Sequence, residues 1–184
     1  MGSSGRVGKF LDLYDTQLEQ LIAMLAELPE SRLWERPAPK KWCIGEVIDH
    51  TRKLNRFLRR LIVVGTPILM PLGRMRRHRP FEADIDDVYQ RPGFPSQVGW
   101  IWSPGHTPKK PAPLAQLQAE CAAEHEAIRR WYEARDEAVL GNVIVYDPTI
   151  GWINLVQTLR IGVYHDAHHF RAIARELGRE WEDN

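Results

Sequence analysis

Apolar residues recur at intervals of three and four in four stretches of the chain, which is the spacing of a helix with one buried face. These stretches predict helices at about residues 7–28, 43–64, 114–138 and 150–177. In the first of them, the apolar face is formed by Phe10, Leu13, Tyr14, Leu18, Leu21, Leu25 and Leu28. Only residues 143–147 suggest a short extended segment, so no sheet is expected. The pattern therefore predicts an all-α protein, a four-helix bundle.

A long proline-rich segment, residues 65–113, separates the second predicted helix from the third. It contains nine of the thirteen prolines and five of the glycines, a content that opposes regular secondary structure. Connections of this length inside a compact domain are usually functional or disordered. We expect a long irregular connection between helices 2 and 3, inside a single domain over residues 7–178. Residues 1–6 are expected to form a flexible N-terminus and residues 179–184 a polar tail.

Composition narrows the range of partners. The net charge of +1 gives no electrostatic reason to expect nucleic-acid binding. The longest apolar run, residues 61–72, is too short to span a bilayer and is interrupted by glycine and proline, so no membrane partner is expected. Two cysteines, Cys43 and Cys121, do not make a disulfide framework, which favours a cytoplasmic protein. We expect a small-molecule substrate, and the sequence leaves a homodimer open.

Three of the seven histidines lie in the fourth predicted helix, at His165, His168 and His169. His165 and His169 are four residues apart and share one helical face. Two imidazoles so placed can bind one metal ion at about 2.0–2.1 Å, and a third ligand from elsewhere would leave coordination positions open. A histidine pair at this spacing is common in helices, so the pair alone does not establish a metal site. The role of His168 is left open.

Other titratable residues have a structural interpretation on sequence grounds alone. His50 borders the apolar face of the second predicted helix, where a buried neutral histidine needs only one hydrogen bond. Glu46 lies one turn before it. His125 follows Cys121 by one turn, and we interpret this pair as packing residues rather than metal ligands. The roles of His125 and Glu46 are not decided by the pattern.

Two segments resemble the motifs of the DinB/YfiT-like superfamily. Residues 36–50 are similar to the family's entry to the second helix, a proline-rich turn followed by Trp42, a small capping position and the first metal histidine. Residues 165–173 resemble the closing motif, whose histidine pair supplies two further ligands. The family more often has Ser or Thr at the position of Cys43. The resemblance implies a four-helix bundle of DinB/YfiT type.

The resemblance also implies a divalent metal ion, zinc or nickel, held by His50, His165 and His169. Family members include transferases and isomerases that use a low-molecular-weight thiol such as bacillithiol or mycothiol, and others are described as metal-dependent hydrolases. We therefore expect a thiol-dependent metalloenzyme with such a thiol as cosubstrate. The alternatives are a hydrolase with a metal-bound water and a non-catalytic, metal-stabilised bundle. A fourth protein ligand, for instance Glu46, would favour the non-catalytic alternative.

Two further enzyme classes fit the sequence less well. A di-iron carboxylate bundle needs paired Glu-x-x-His motifs, which are not present. An HD-type phosphohydrolase uses a His-Asp pair such as His165-Asp166, but the spacing from His50 and the lack of a final aspartate oppose it.

The long connection contains two tryptophans, Trp100 and Trp102. Large aromatic side chains in a segment rich in glycine and proline either close the end of a core or line a pocket. We expect one of them to lie over the end of the bundle near the histidines, where it would shape access to the site.

Overall fold

The computed structural model describes residues 5–92 and 102–182 of the chain. Its regular elements are, in order, α1 (Arg6–Leu25), α2 (Ile44–Arg76), α3 (Leu114–Glu133), α4 (Glu137–Leu140), β1 (Ile144–Asp147), β2 (Gly151–Asn154) and α5 (Leu155–Glu176). Single 3-10 turns occur at Glu30–Trp34 and Val88–Gln90. The four long helices α1, α2, α3 and α5 form the predicted bundle, and the short α4 and an antiparallel hairpin are added between α3 and α5.

Hydrophobic packing holds the four long helices together. Helix α1 packs on α3 and α5, and α2 packs on the same two helices. One buried cluster includes Phe10, Leu11, Ile128, Leu155 and Leu159. A second includes Leu21, Leu25, Ile48, Leu117 and Phe170. Because burying one such side chain contributes about 1.5–3 kcal/mol, these clusters dominate the stability of the bundle.

Helices α1 and α5 are closely packed at a glycine. A Cβ added at Gly162 would lie 1.8 Å from the Tyr14 hydroxyl oxygen. Only a residue without a side chain fits at this position while Tyr14 keeps its place.

The second helix is longer than the sequence predicts. It continues from the predicted end near residue 64 to Arg76, through Pro67 and Pro71. Each proline removes one main-chain hydrogen bond, but both are exposed, so water can satisfy the freed carbonyl groups. On the inner face of the extension, Leu69 and Met70 pack on the first cluster, as Ile62 does just before it. The expectation that residues 65–113 contain no long regular element is therefore wrong for residues 65–76, and the connection is irregular only beyond them.

The fourth long helix begins at Leu155 rather than near residue 150. Residues Gly151–Asn154 instead form β2, paired with the extended segment expected from the sequence, in the register Ile144↔Asn154 to Asp147↔Gly151. Asn154 then caps α5: its side chain accepts a hydrogen bond from the Gln157 amide at 2.9 Å, and the Gln157 side chain accepts one from the Asn154 amide at 3.0 Å. This reciprocal cap starts the helix that carries two of the candidate metal ligands.

The two ends of the chain are described only in part. Residues 1–4 and 183–184 lie outside the described residues, while α1 already begins at Arg6. Part of the expected polar tail contacts the bundle, since Arg179 donates a hydrogen bond to the Met24 carbonyl at 2.7 Å and Trp181 packs near Phe170. None of the described helices is both long enough and apolar enough to cross a membrane.

Candidate metal centre

Three histidines from two helices meet inside the bundle. His50 comes from α2, and His165 and His169 come from α5. One ring nitrogen from each lies within 4.8 Å of the others. The ring centroids are separated by 5.4 Å for His50 and His165, 4.9 Å for His50 and His169, and 4.6 Å for the pair on α5. The helical spacing thus places the pair, and the packing of α2 against α5 adds the third ring.

His50 is oriented by the main chain of the long connection. Its Nδ1 lies 3.0 Å from the carbonyl oxygen of Trp102. Because a carbonyl only accepts hydrogen bonds, Nδ1 carries the proton and Nε2 keeps a free lone pair. Burial is the main cause that lowers the pKa of His50 to about 4, with His165 adding to the effect and the Trp102 hydrogen bond opposing it. The ring is therefore neutral at pH 7, the form that binds metal.

His165 is oriented by the neighbouring carboxylate. Its Nδ1 donates to Asp166 Oδ1 at 3.1 Å, which again leaves Nε2 as the free nitrogen. Hydrogen bonding of the second ring nitrogen to a carboxylate fixes the orientation and tautomer of metal-bound histidines. For His169, burial lowers the pKa, and the nearby His165 and His50 lower it further. The chemistry of this donor set fits a divalent metal ion.

Behind His165, a buried polar network satisfies Asp166. Asn55 Nδ2 donates to Asp166 Oδ2 at 2.9 Å, and His125 Nε2 lies 3.4 Å from the same oxygen. Burial would raise the pKa of Asp166, but the hydrogen bonds and charges of His125 and His165 hold it below its usual range. For His125, burial lowers the pKa, but the hydrogen bonds and charges of Asp15 and Asp166 outweigh burial and raise it. His125 Nδ1 is 3.6 Å from Asp15 Oδ1, a distance of charge attraction rather than of a hydrogen bond.

The sequence does not predict this network. It favours a packing role for His125, and it relates Asp166 only to His165, as a phosphohydrolase-like pair. A signal was present, because Asp166 follows a predicted ligand and falls on a helix face that the bundle buries. Its partners on α2 and α3 are distant in sequence, so no local spacing could reveal them.

Residues near the three histidines have other partners. His168 lies beside Tyr89, with ring centroids 5.3 Å apart, and is not part of the three-histidine group. Glu46 pairs with Arg36 and accepts a hydrogen bond from the Cys43 amide at 3.0 Å. These contacts occupy the Glu46 carboxylate, so it does not provide the fourth ligand that a structural site would need. Burial raises the pKa of the Cys43 thiol to about 11, so this residue is not a ready thiolate ligand.

The connection before α3 is tied to the site beside His50. The Trp102 indole packs against Phe57 with ring centroids 5.3 Å apart, and its carbonyl reaches His50. The main chain of Trp102 therefore lies beside His50 while its indole lies against Phe57, and Trp100 lies outside the described residues. That a tryptophan shapes access to the site stays a prediction. Asp49 accepts hydrogen bonds from the amides of Gly105 and His106, which fixes this part of the chain on α2.

A second group of potential ligands consists of Asp49, His106 and Glu120. The two oxygens of Asp49 already accept hydrogen bonds from Arg52 and from two main-chain amides. Arg52 also lies 3.2 Å from Glu120, so a cation is already present in the group. We interpret this group as a clamp that holds the connection on α2 rather than as a metal site.

Comparisons with known proteins agree with this architecture. A family model of the DinB superfamily matches residues 13–173. YfiT from Bacillus subtilis, described as a probable metal-dependent hydrolase with an unusual four-helix bundle topology, is similar in structure with a TM-score of 0.60. That similarity covers 97% of this chain and 91% of YfiT at 16% sequence identity, which demonstrates a shared fold. No curated protein sequence matches the chain.

Proposed function

This chain belongs to the DinB superfamily, and we propose that it is a metal-dependent enzyme whose ion is bound by His50, His165 and His169. The observation that carries the proposal is the convergence of two buried rings, His50 and His165, and the half-buried His169, with one ring nitrogen of each within 4.8 Å of the others. His50 and His165 both have Nδ1 engaged elsewhere, so each directs Nε2 to a ligand. Three neutral ligands would leave a divalent ion its full charge and an open position, as a catalytic site requires.

We propose transfer of a low-molecular-weight thiol as the reaction. A bound divalent ion would supply positive charge that keeps a thiol in its nucleophilic thiolate form at neutral pH. The three-histidine group contains no carboxylate among the described residues. A thiolate nucleophile needs no general base, whereas a water nucleophile does. A group of three histidines without a carboxylate therefore suits attack by a thiolate better than attack by water.

Hydrolysis is the second candidate, and it is favoured by the description of YfiT as a probable metal-dependent hydrolase. In that case a general base would be needed beside the ion. His168 is the nearest candidate, since its ring centroid lies 5.3 Å from that of His169 and burial lowers its pKa, which keeps the ring neutral. A neutral imidazole can accept a proton from a nucleophilic water.

The remaining parts of the proposal follow from the sequence. We propose zinc or nickel as the ion, bacillithiol or mycothiol as the type of cosubstrate, and a small molecule as the acceptor. The two cysteines are buried and free, as expected for a protein of the reducing cytoplasm. We expect no nucleic-acid partner, and a homodimer is left open.

Metal stoichiometry tests the ligand set. Wild-type protein and the variants His50→Ala, His165→Ala and His169→Ala are purified identically, loaded with zinc, desalted and measured by elemental analysis. We expect about one metal per wild-type chain and loss of most metal in each variant, with helix content unchanged because the apolar clusters hold the bundle. His168→Ala is the matched control and should keep its metal. Full metal retention by His50→Ala would contradict the three-ligand proposal.

A conjugation screen separates the two reactions. Metal-loaded protein is incubated with glutathione, bacillithiol or mycothiol and an electrophilic acceptor, and in parallel with activated esters without thiol. Thiol transfer predicts conjugates that disappear in His165→Ala. Ester hydrolysis without any thiol dependence would instead select the hydrolase.

A further inference from the structure

An open groove of about 610 Å³ reaches one of the candidate metal ligands. His169 forms part of its wall, so the groove borders the three-histidine group on the side of this residue. Its apolar floor is formed by Trp42, Ile44, Val47 and Ile173. A molecule that approaches the ion from this side would therefore lie against apolar and aromatic surface.

The rim of this groove carries an excess of positive charge. Lys40, Lys41 and Arg175 line it, opposed by a single carboxylate, Glu176. Among the described residues these three cations make no ion pair, and the side chain of Arg175 donates one hydrogen bond, to the main-chain carbonyl of Arg171 at 3.4 Å.

Neighbouring arginines behave differently. Arg36 pairs with Glu46, and Arg179 pairs with Glu27. Their positive charge is thereby matched within the protein. The positive charges of the groove rim have no such carboxylate partner among the described residues, so they are available to a ligand.

The turn that carries the two lysines is held in an uncommon conformation. Lys40 has φ of 69°, in the left-handed region that favours glycine. The turn is closed by a hydrogen bond from the Lys41 amide to the Ala38 carbonyl at 3.1 Å. Arg36 fastens it to α2, because its guanidinium donates to the Lys41 carbonyl at 3.0 Å and also pairs with Glu46. A lysine in a backbone conformation that favours glycine suggests a function for its side chain.

We propose that this groove binds the substrate thiol, and that this thiol carries a carboxylate recognised by Lys40, Lys41 and Arg175. Its apolar portion would contact Trp42, and its sulfur would point towards the three-histidine group. This inference rests on the proposed function, which it extends by assigning a negative charge to the substrate and a place for that charge. The three cations are specificity-determining residues rather than metal ligands.

Thiols of different charge provide the test. Protein loaded with cobalt(II), a spectroscopic substitute for zinc, is titrated with 3-mercaptopropionate, 2-mercaptoethanol or cysteamine. Formation of the thiolate-to-cobalt absorption band gives a Kd for each. The intrinsic acidities of these thiols differ, so their Kd values are not compared directly. The deciding quantity is the ratio of the Kd of 2-mercaptoethanol to that of 3-mercaptopropionate, compared between wild type and each variant.

Substitutions at the groove rim remove its three positive charges, first singly and then together in a triple variant. Lys40→Gly suits the left-handed backbone, so the turn should be retained while the charge is lost. Lys41→Gln and Arg175→Gln remove the other two charges, and Lys109→Gln removes an exposed lysine outside the groove as the control. We expect the triple variant to weaken 3-mercaptopropionate binding roughly tenfold, the size expected from a few exposed ion pairs. Binding of 2-mercaptoethanol should stay unchanged.

Two negative outcomes are distinguishable. If the thiols produce the absorption band but the triple variant shows the wild-type Kd ratio, the groove does not select a carboxylate and this inference is overturned. If no thiol produces the band, thiolate binding at the metal is refuted, and the inference falls with the proposed thiol transfer.

Discussion

At the scale of single residues, Asp166 links the candidate metal centre to the rest of the core. One oxygen accepts from the candidate ligand His165, and the other accepts from Asn55 and lies 3.4 Å from His125 Nε2. A carboxylate that is this deeply buried is tolerated because charged and polar groups surround it. It therefore serves both the orientation of His165 and the charge balance of His125.

We predict that Asp166→Asn weakens zinc binding about tenfold to a hundredfold, the usual effect of losing a carboxylate behind a metal-bound histidine. The reason is that an amide provides a weaker acceptor for His165 Nδ1 and removes one of the two carboxylates beside His125. Competition with a chromogenic chelator measures the affinity. Asp12→Asn, at an exposed carboxylate paired with Arg129, is the control and should bind zinc like wild type. Wild-type affinity in Asp166→Asn would show that Asp166 does not orient the ligand.

The candidate ligands differ in how far the sequence reveals them. His165 and His169 follow from helical spacing, whereas His50 is selected only by the resemblance to a family motif. Its Nδ1 contact with Trp102 and the partners of Asp166 depend on chain segments far apart in sequence. Such contacts arise from tertiary packing, which local periodicity does not contain.

At the scale of elements, α2 shows how tertiary packing overrides a local signal. Pro67 and Pro71 predict the end of a helix, yet the backbone remains helical to Arg76. Gly73 allows this extension to approach α4, because a Cβ there would lie 2.8 Å from the Val139 carbonyl oxygen and 2.6 Å from a methyl group of Val143. Packing on that side compensates for the hydrogen bonds that the prolines remove.

Two glycines of α2 give a matched pair of substitutions. We predict that Gly73→Ala lowers the free energy of unfolding by about 1–3 kcal/mol, because the added methyl group meets the Val139 carbonyl oxygen and a methyl group of Val143. Gly65→Ala should raise it by about 0.5–1 kcal/mol, since a Cβ there meets nothing within 4 Å and alanine favours the helix. Denaturant unfolding monitored by circular dichroism measures both. Equal effects of the two substitutions would contradict the close packing of Gly73.

At the scale of the whole molecule, the candidate site joins two helices that are far apart along the chain. His50 lies in α2, and the other two histidines lie in α5, more than a hundred residues later. The four-helix plan is predictable because amphipathic spacing reports which face of each helix is buried. The true end of α2 is not predictable from local spacing, since it depends on packing against neighbours distant in sequence. The strand Gly151–Asn154 pairs with a nearby segment, but its four residues are too few for periodicity to separate a strand from the start of a helix.

We predict that zinc stabilises the folded protein, because only the folded chain brings α2 and α5 together around the ion. At free zinc a hundred times the dissociation constant, the gain is about 2.7 kcal/mol. A thermal melt with and without zinc measures it, and a chelator should reverse the effect. His165→Ala should melt at the same temperature with and without zinc. A similar zinc-dependent rise in that variant would place the ion elsewhere.

The acceptor of the hydrogen bond that orients His50 is the main-chain carbonyl of residue 102 and not a side chain. Every amino acid has a peptide carbonyl, so replacing Trp102 by another residue leaves the acceptor in place, while it would alter the contact with Phe57. Insertions or deletions nearby are different, because they would move the carbonyl itself. This part of the connection is therefore free to diverge through substitutions, changing what it presents to a substrate, while the imidazole below it keeps its tautomer.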